Sequence, residues 1–156
     1  MADNGLNEMH IEFMSKALAE ARRAFDMGEV PIGCVIVHNG QIIGSAANER
    51  ATRKNVLCHA EIMAINQACE ALGDWRLENC TLYVTLEPCP MCAGAIVQAR
   101  IPTVVYGAKS PKAGCAGSVL DILNEPKLNH RVEVIDGVCE EECAKLMSAF
   151  FTRFRD

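Results

Sequence analysis

The sequence predicts a three-layer α/β/α domain around a mixed sheet of about five strands. Three observations predict it. Short apolar runs bounded by turn residues alternate with longer stretches of helical periodicity. The first two runs are joined through Asn39-Gly40, a strong hairpin signal, so they pair antiparallel. The middle of the chain reads strand, helix, strand, and that order requires a parallel pair.

In chain order, Met9 to Met27 is helical, because Met14, Leu18, Ala21 and Phe25 fall on one face and Gly28 supplies a stop. Ile32 to Val37 and Gln41 to Ser45 form the hairpin strands. After an irregular polar stretch from Asn48 to Cys58, the segment from His59 to Leu72 is a second helix, with Ile62, Ile65, Cys69 and Leu72 on its buried stripe. Thr81 to Leu86 is a strand leading into a helix that opens near Cys89, tolerates Pro90 in its first turn and runs to Ala99. Thr103 to Tyr106 is the next strand. Beyond Gly107 come a Gly-rich, Lys-bearing loop, a short helix from Ser118 to Leu123, and a last strand from Arg131 to Ile135. A helix from Glu140 onward closes the chain, its apolar face made by Cys143, Leu146, Met147, Phe150 and Phe151 and its end basic. No linker, internal repeat or low-complexity tract divides residues 1–156, so one domain with one continuous core is expected.

Composition excludes several classes. Half of the residues are apolar, yet no run approaches a membrane span, and the N-terminus lacks the basic-then-apolar order of a signal peptide. A cytoplasmic protein is expected. Nine cysteines might suggest a disulfide scaffold, but the number is odd and Cys34, Cys69 and Cys80 fall within helix or strand patterns, which fits free thiols in a reducing compartment. A net charge of −5 argues against indiscriminate nucleic-acid binding, since that affinity comes from Lys and Arg displacing phosphate counterions. Any RNA contact must use local basic groups: Arg50, Arg53 and Lys54; Lys109 and Lys112; Arg131; Arg153 and Arg155. Taken alone, these read better as ordinary solvated charge.

The chemistry is concentrated in His59-Ala60-Glu61 and Pro88-Cys89-Pro90-Met91-Cys92. Together they supply three zinc-type ligands, His59, Cys89 and Cys92, and one unligated carboxylate, Glu61. Catalytic zinc typically takes three protein ligands and leaves the fourth position to water, whereas a structural site closes with four. Bound zinc lowers the pKa of its water to about 7, and a nearby acid can then carry the protons. The pattern matches the H-x-E…P-C-x-x-C signature of zinc deaminases. In mid-helix, residues two apart point in nearly opposite directions, but at the first turn side chains lean back toward the N-terminus, so His59 and Glu61 can share a metal in front of the helix. Helix N-termini also favour thiolate over thiol at Cys89 and Cys92. A redox C-x-x-C pair or a purely structural zinc site would leave Glu61 without a role. Cys58, beside His59, is a possible competing ligand but reads better as a small side chain packed under the site.

With these motifs in place, nearly the whole chain resembles the bacterial tRNA-specific adenosine deaminases of the wobble-position type, within the cytidine deaminase-like fold. The resemblance runs through Glu29-Val30-Pro31-Ile32-Gly33, Asn48, His59-Ala60-Glu61-Ile62, Trp75-Arg76-Leu77, and Leu82-Tyr83-Val84-Thr85-Leu86-Glu87-Pro88-Cys89 with Met91-Cys92-Ala93-Gly94-Ala95. It continues in Val105-Tyr106-Gly107-Ala108, Asn129-His130-Arg131 and Phe150-Phe151. The catalytic signature is shared with cytidine, cytosine and guanine deaminases; the flanking segments choose among them.

The resemblance implies hydrolytic deamination of adenosine to inosine at the first anticodon position of an arginine tRNA, by a homodimer holding one zinc per chain through His59, Cys89 and Cys92. Glu61 would take the water proton, protonate N1 and help expel ammonia. The Asn48 amide would bond the base, backbone groups at Ala60 would read its edge, and Val30 would lie on its face. The alternative reading of Asn48 is an Asx-type turn after the second strand. Lys112, His130, Phe151 and Arg153 are the outer candidates for the tRNA anticodon arm, although Phe150 and Phe151 each read better as helix core than as stacking platforms, and Arg153 equally fits a solvated end. A free-base or nucleoside deaminase acting on guanine or cytosine would use the same metal site. The chain departs from the family in carrying Lys109-Ser110 where Asp is usual, and Cys58 where a small residue is usual.

Overall fold

The computed structural model describes residues 2–154. Arg155 therefore lies outside the described residues. The elements are helix α1 (Ala2–Asp26), strands β1 (Gly33–His38) and β2 (Gln41–Ala47), helix α2 (Ala60–Leu72), strand β3 (Cys80–Leu86), helix α3 (Pro90–Gln98), strand β4 (Thr103–Ala108), a 3-10 turn (Ile122–Asn124), strand β5 (Glu133–Ile135) and helix α4 (Glu140–Arg153). Asn39 and Gly40 both have positive φ, 51° and 76°, the backbone of the tight hairpin turn that twists with its strands.

The strands form one mixed sheet in the order β2-β1-β3-β4-β5. β1 runs antiparallel to both β2 and β3, while β3, β4 and β5 are parallel. The two-residue period of the strands sorts their side chains into two cores. Cys34, Ile36, Leu82, Val84, Val104 and Tyr106 face Ala60, Ala64 and Ala68 of α2 and Ala93, Ile96 and Val97 of α3. Val35, Val37, Tyr83 and Val105 face Met14, Ala17 and Leu18 of α1 and Cys143 of α4. This is the expected three-layer arrangement, and all nine cysteines are unbridged. No described helix is long and apolar enough to cross a membrane.

Three elements differ from expectation. Helix α1 begins well before Met9, because residues 4–9 are exposed and so show no apolar period to read. The expected helix from Ser118 to Leu123 is not formed: Gly117 N–H is bound by the Leu120 carbonyl, Val119 N–H by Gly114, and Ser118 N–H by the Glu87 carboxylate. Ile122 N–H, which such a helix would give to the Ser118 carbonyl, is bound by the Cys115 carbonyl, and only the 3-10 turn at Ile122–Asn124 remains. The last strand is also shorter than expected, because Val132 N–H turns aside to the Leu123 carbonyl.

Helix α2 lies close on the sheet because its buried face is alanine and because β2 presents Gly44 to it. A Cβ on Gly44 would collide with the Ala64 carbonyl of α2. Gly44→Ala is therefore expected to lower unfolding stability by about 1–3 kcal/mol through overpacking, seen as a lower urea midpoint. An unchanged midpoint would mean that α2 can shift without cost.

Candidate metal centre and active site

Helices α2 and α3 both begin at the sheet edge where β2 and β3 end. His59 is the N-cap of α2 and Cys89 the N-cap of α3, each with extended backbone. Cys92 sits at the third helical position of α3. N-cap and third-position side chains face one another across the first turn, the same pairing that a capping box uses, and this is why two sulfurs spaced C-x-x-C can converge. His59 Nδ1 lies 3.6 Å from Cys89 Sγ and 3.5 Å from Cys92 Sγ. Bonds of about 2.3 Å to sulfur and about 2.0 Å to nitrogen at the tetrahedral angle require a sulfur–nitrogen edge of about 3.5 Å. The donor set thus fits three corners of a tetrahedral site for a thiolate- and imidazole-seeking metal, and all three ligand atoms lie within 4.8 Å of one another. Cys58 is not part of this cluster.

The protonation states suit a metal. A hydrogen bond from the Cys92 thiol outweighs burial and, helped by His59, pulls Cys89 down to about 4, so it is a thiolate. The same hydrogen bond, burial and the adjacent negative charge of Glu61 push Cys92 far above the ordinary thiol range. His59 is raised by its hydrogen bond to Cys89. A cation bound here would displace the Cys92 proton.

A pocket of about 90 Å³ opens beside the cluster, lined by Val30, Ile32, Asn48, Arg50, His59, Ala60 and Glu61. Glu61 is 4% exposed, and burial raises its carboxyl to about 7. Such an acid can both hold and release a proton at neutral pH. Asn48 accepts a hydrogen bond from Arg50 N–H at 3.2 Å, forming the Asx turn, and donates to the Val30 carbonyl at 3.1 Å. Val30 is also part of the wall of a larger groove of about 630 Å³, where Lys109, Ser110 and Lys112 face Met147 and Phe151 of α4.

The sequence matches the MafB19-like deaminase family over residues 8–155. It is similar to the tRNA-specific adenosine deaminase of Bacillus subtilis (strain 168), 54% identical over 143 residues that cover 92% of this chain and 89% of that one. The chain belongs to the tRNA-specific adenosine deaminases. The protein of that name from Streptococcus pyogenes serotype M18 (strain MGAS8232) is 49% identical over 144 residues, covering 92% of this chain and 91% of its own. A solved structure from studies of A-to-I editing by tRNA:A34 deaminases at the wobble position of transfer RNA superposes with a TM-score of 0.84 at 46% identity, covering 86% of this chain and 98% of that chain.

Against this deaminase scaffold, the sequence-predicted residues divide. His59, Glu61, Cys89, Cys92, Val30, Asn48 and Ala60 come together at the pocket, and Lys112 and Phe151 share the groove beyond it. Phe150 is buried and packs against Phe25, whereas Phe151 is 52% exposed. Arg153 stacks over Phe25 and Phe154 and lines neither the pocket nor the groove. His130 does not join them. Its Nε2 bonds the Ile101 carbonyl at 2.8 Å, near the start of β4, so within one chain it sits at the sheet edge opposite the metal cluster.

Three residues at the deaminase site received no such role from the sequence. Arg50, read only as one of several surface cations, stands at the pocket mouth. Glu29 and Glu87 are buried carboxylates whose donors are loop backbone groups. Burial alone would raise Glu29, but Thr52 and Ala51 donate to it and hold it below its ordinary value. At Glu87 burial is likewise outweighed, by Ser118, Ser110 and Ala116. Their acidic character alone signals nothing, because the donors lie more than twenty residues away.

Since Glu61 contributes no ligand atom to the cluster, Glu61→Ala is expected to keep about one metal per chain while losing deamination by at least about 100-fold. Metal analysis beside a turnover assay checks this; retained turnover would remove Glu61 from the chemistry.

Proposed function

We propose that this protein is a single-domain, zinc-dependent hydrolase that deaminates adenosine to inosine at the wobble position of an arginine tRNA. The observation that carries this reading is the shape of the site. The small base-sized pocket is not closed over but continues across Val30 into the larger basic and aromatic groove of Lys109, Lys112 and Phe151. A polynucleotide with one base extruded needs such a groove, and an anticodon base already in a loop costs less to extrude than one in a duplex. A free-base or nucleoside deaminase for guanine or cytosine would gain nothing from it. The tRNA-deaminase relatives support the same choice.

Zinc held by His59, Cys89 and Cys92 would supply a water of pKa about 7 as the nucleophile. The remaining work falls to the chain. The pocket walls of Val30 and Ile32 hold the base and exclude bulk solvent. The Asn48 amide, anchored on one side by Val30 and Arg50, still has one N–H and one carbonyl lone pair for the base edge. Buried Glu61, poised near neutrality, takes the water proton and delivers it to N1, then carries the proton of the hydroxyl newly added at C6 to the amino group, which leaves as ammonia. A homodimer is in keeping with exposed Val56, Leu57, Val119 and Leu120 on the loops that flank the metal cluster. A tRNA substrate places the work in the cytoplasm.

The deciding experiment offers zinc-loaded protein an arginine tRNA anticodon stem-loop with adenosine at the wobble position, and in parallel free adenosine, guanine and cytosine. Inosine from the stem-loop alone is expected. Turnover of a free base alone would keep the metal chemistry and discard the RNA reading. Stripping the metal with a chelator is expected to abolish turnover, and added zinc to restore it; activity persisting in metal-free protein would refute the zinc requirement.

A further inference from the structure

The segment after β4, from Lys109 to Leu120, contains only turns and an isolated bridge from Ala116 to Asp121, yet it forms one lip of the groove. Something other than secondary structure must hold it. Glu87, 2% exposed, lies beneath it and makes no ion pair among the described residues. A buried carboxylate without a cation must be stabilised by hydrogen-bond donors, and all four found here come from this loop. Ser110 N–H donates to Oε1 at 3.1 Å, Ala116 N–H and Ser118 N–H to Oε2 at 2.9 and 3.1 Å, and the Ser118 hydroxyl to Oε1. Gly114 lays bare backbone on the same carboxylate, where a Cβ would collide with it.

The loop is also joined to the metal-binding segment. Cys115 N–H donates to the Pro88 carbonyl at 2.8 Å, and Glu87 N–H to the Ala108 carbonyl at 2.9 Å. Pro88 directly precedes Cys89. One residue pair, Glu87-Pro88, therefore sets the position of the groove lip relative to the ligand-bearing helix. We infer that Glu87 is a positioning residue for the substrate: its side chain holds Lys109, Ser110 and Lys112 in fixed register with the metal centre, so that a strand lying in the groove delivers its base to the pocket. The substrate part of this inference rests on the RNA reading above; the holding of the loop does not.

Glu87→Gln preserves shape but replaces one acceptor oxygen with an NH2 group facing N–H donors, so about half of the bonds are lost. The expected result is amide exchange at Ser110, Ala116 and Ser118 faster by at least about tenfold, with KM for the anticodon stem-loop raised by a similar factor. Metal content stays near one per chain and kcat within about threefold, because the pocket and Glu61 are untouched. Gly114→Ala pushes on the carboxylate from the other side without changing charge and should reproduce the pattern. Unchanged exchange in both variants overturns the inference, as does faster exchange with KM unaltered, or a loss of metal together with kcat. If the unaltered protein is inert on the stem-loop, the functional reading and the substrate part fail together, and the exchange rates still decide whether Glu87 holds the loop.

Discussion

The site depends on two helix N-termini being aimed at one point. The first turn of a helix exposes unpaired N–H groups and a partial positive charge, which favours a thiolate there. Cys89 and Cys92 use this at α3, and His59 brings its nitrogen from the cap of α2. For the two starts to meet, both helices must lie on one face of the sheet and begin at the same edge. The chain enters α2 after β2 and α3 after β3, so β2 and β3 must run the same way. They do because β1, between them, is antiparallel to both. The Asn39-Gly40 hairpin is thus a condition of the metal centre, although it lies at the other end of its strands.

Three buried carboxylates surround this centre, and their surroundings separate their roles. Glu29 and Glu87 are met by converging N–H and O–H donors that more than offset burial, and both stay below the ordinary carboxylate range. Such groups remain ionised and serve as fixed acceptors around which loops are arranged. Glu61 is buried with less compensation and is raised to about 7. The donors withheld from it leave it able to exchange a proton at neutral pH, which is the property the proposed proton carrier needs.

Features that depend on near neighbours were legible in the sequence. The hairpin, the starts of α2 and α3, and the His-x-Glu and Cys-x-x-Cys spacings all rest on residues within a turn or two of one another. What depended on distant partners was not. Nothing within Ser118 to Leu123 announces that Ser118 N–H answers to the distant Glu87 or Ile122 N–H to Cys115, so the short helix expected there does not form. Helix α1 before Met9 went unread because an exposed helix has no apolar period. His130 was assigned by resemblance to the substrate surface, yet the parallel pairing of β4 and β5 puts the stretch before β5 beside the start of β4, away from the cluster. Any contact it makes with a substrate in this pocket would have to come from a second chain.

Asn48 shows why a structural and a functional reading of one residue need not compete. The Asx turn that stood as the alternative reading of its side chain is present, since its carbonyl accepts Arg50 N–H, and the same amide also lines the pocket. An amide has two hydrogens and a carbonyl oxygen with two lone pairs, and the fold uses one of each. The bonds to Val30 and Arg50 prevent the amide from turning, so the free hydrogen and lone pair point in fixed directions before a base arrives. Glu29, next to Val30, holds Ala51 and Thr52, which directly follow Arg50, so both anchors of the amide are fixed. In the proposed reaction the turn is what would make the amide selective: a freely rotating asparagine bonds donors and acceptors alike, whereas an anchored one presents a single pattern.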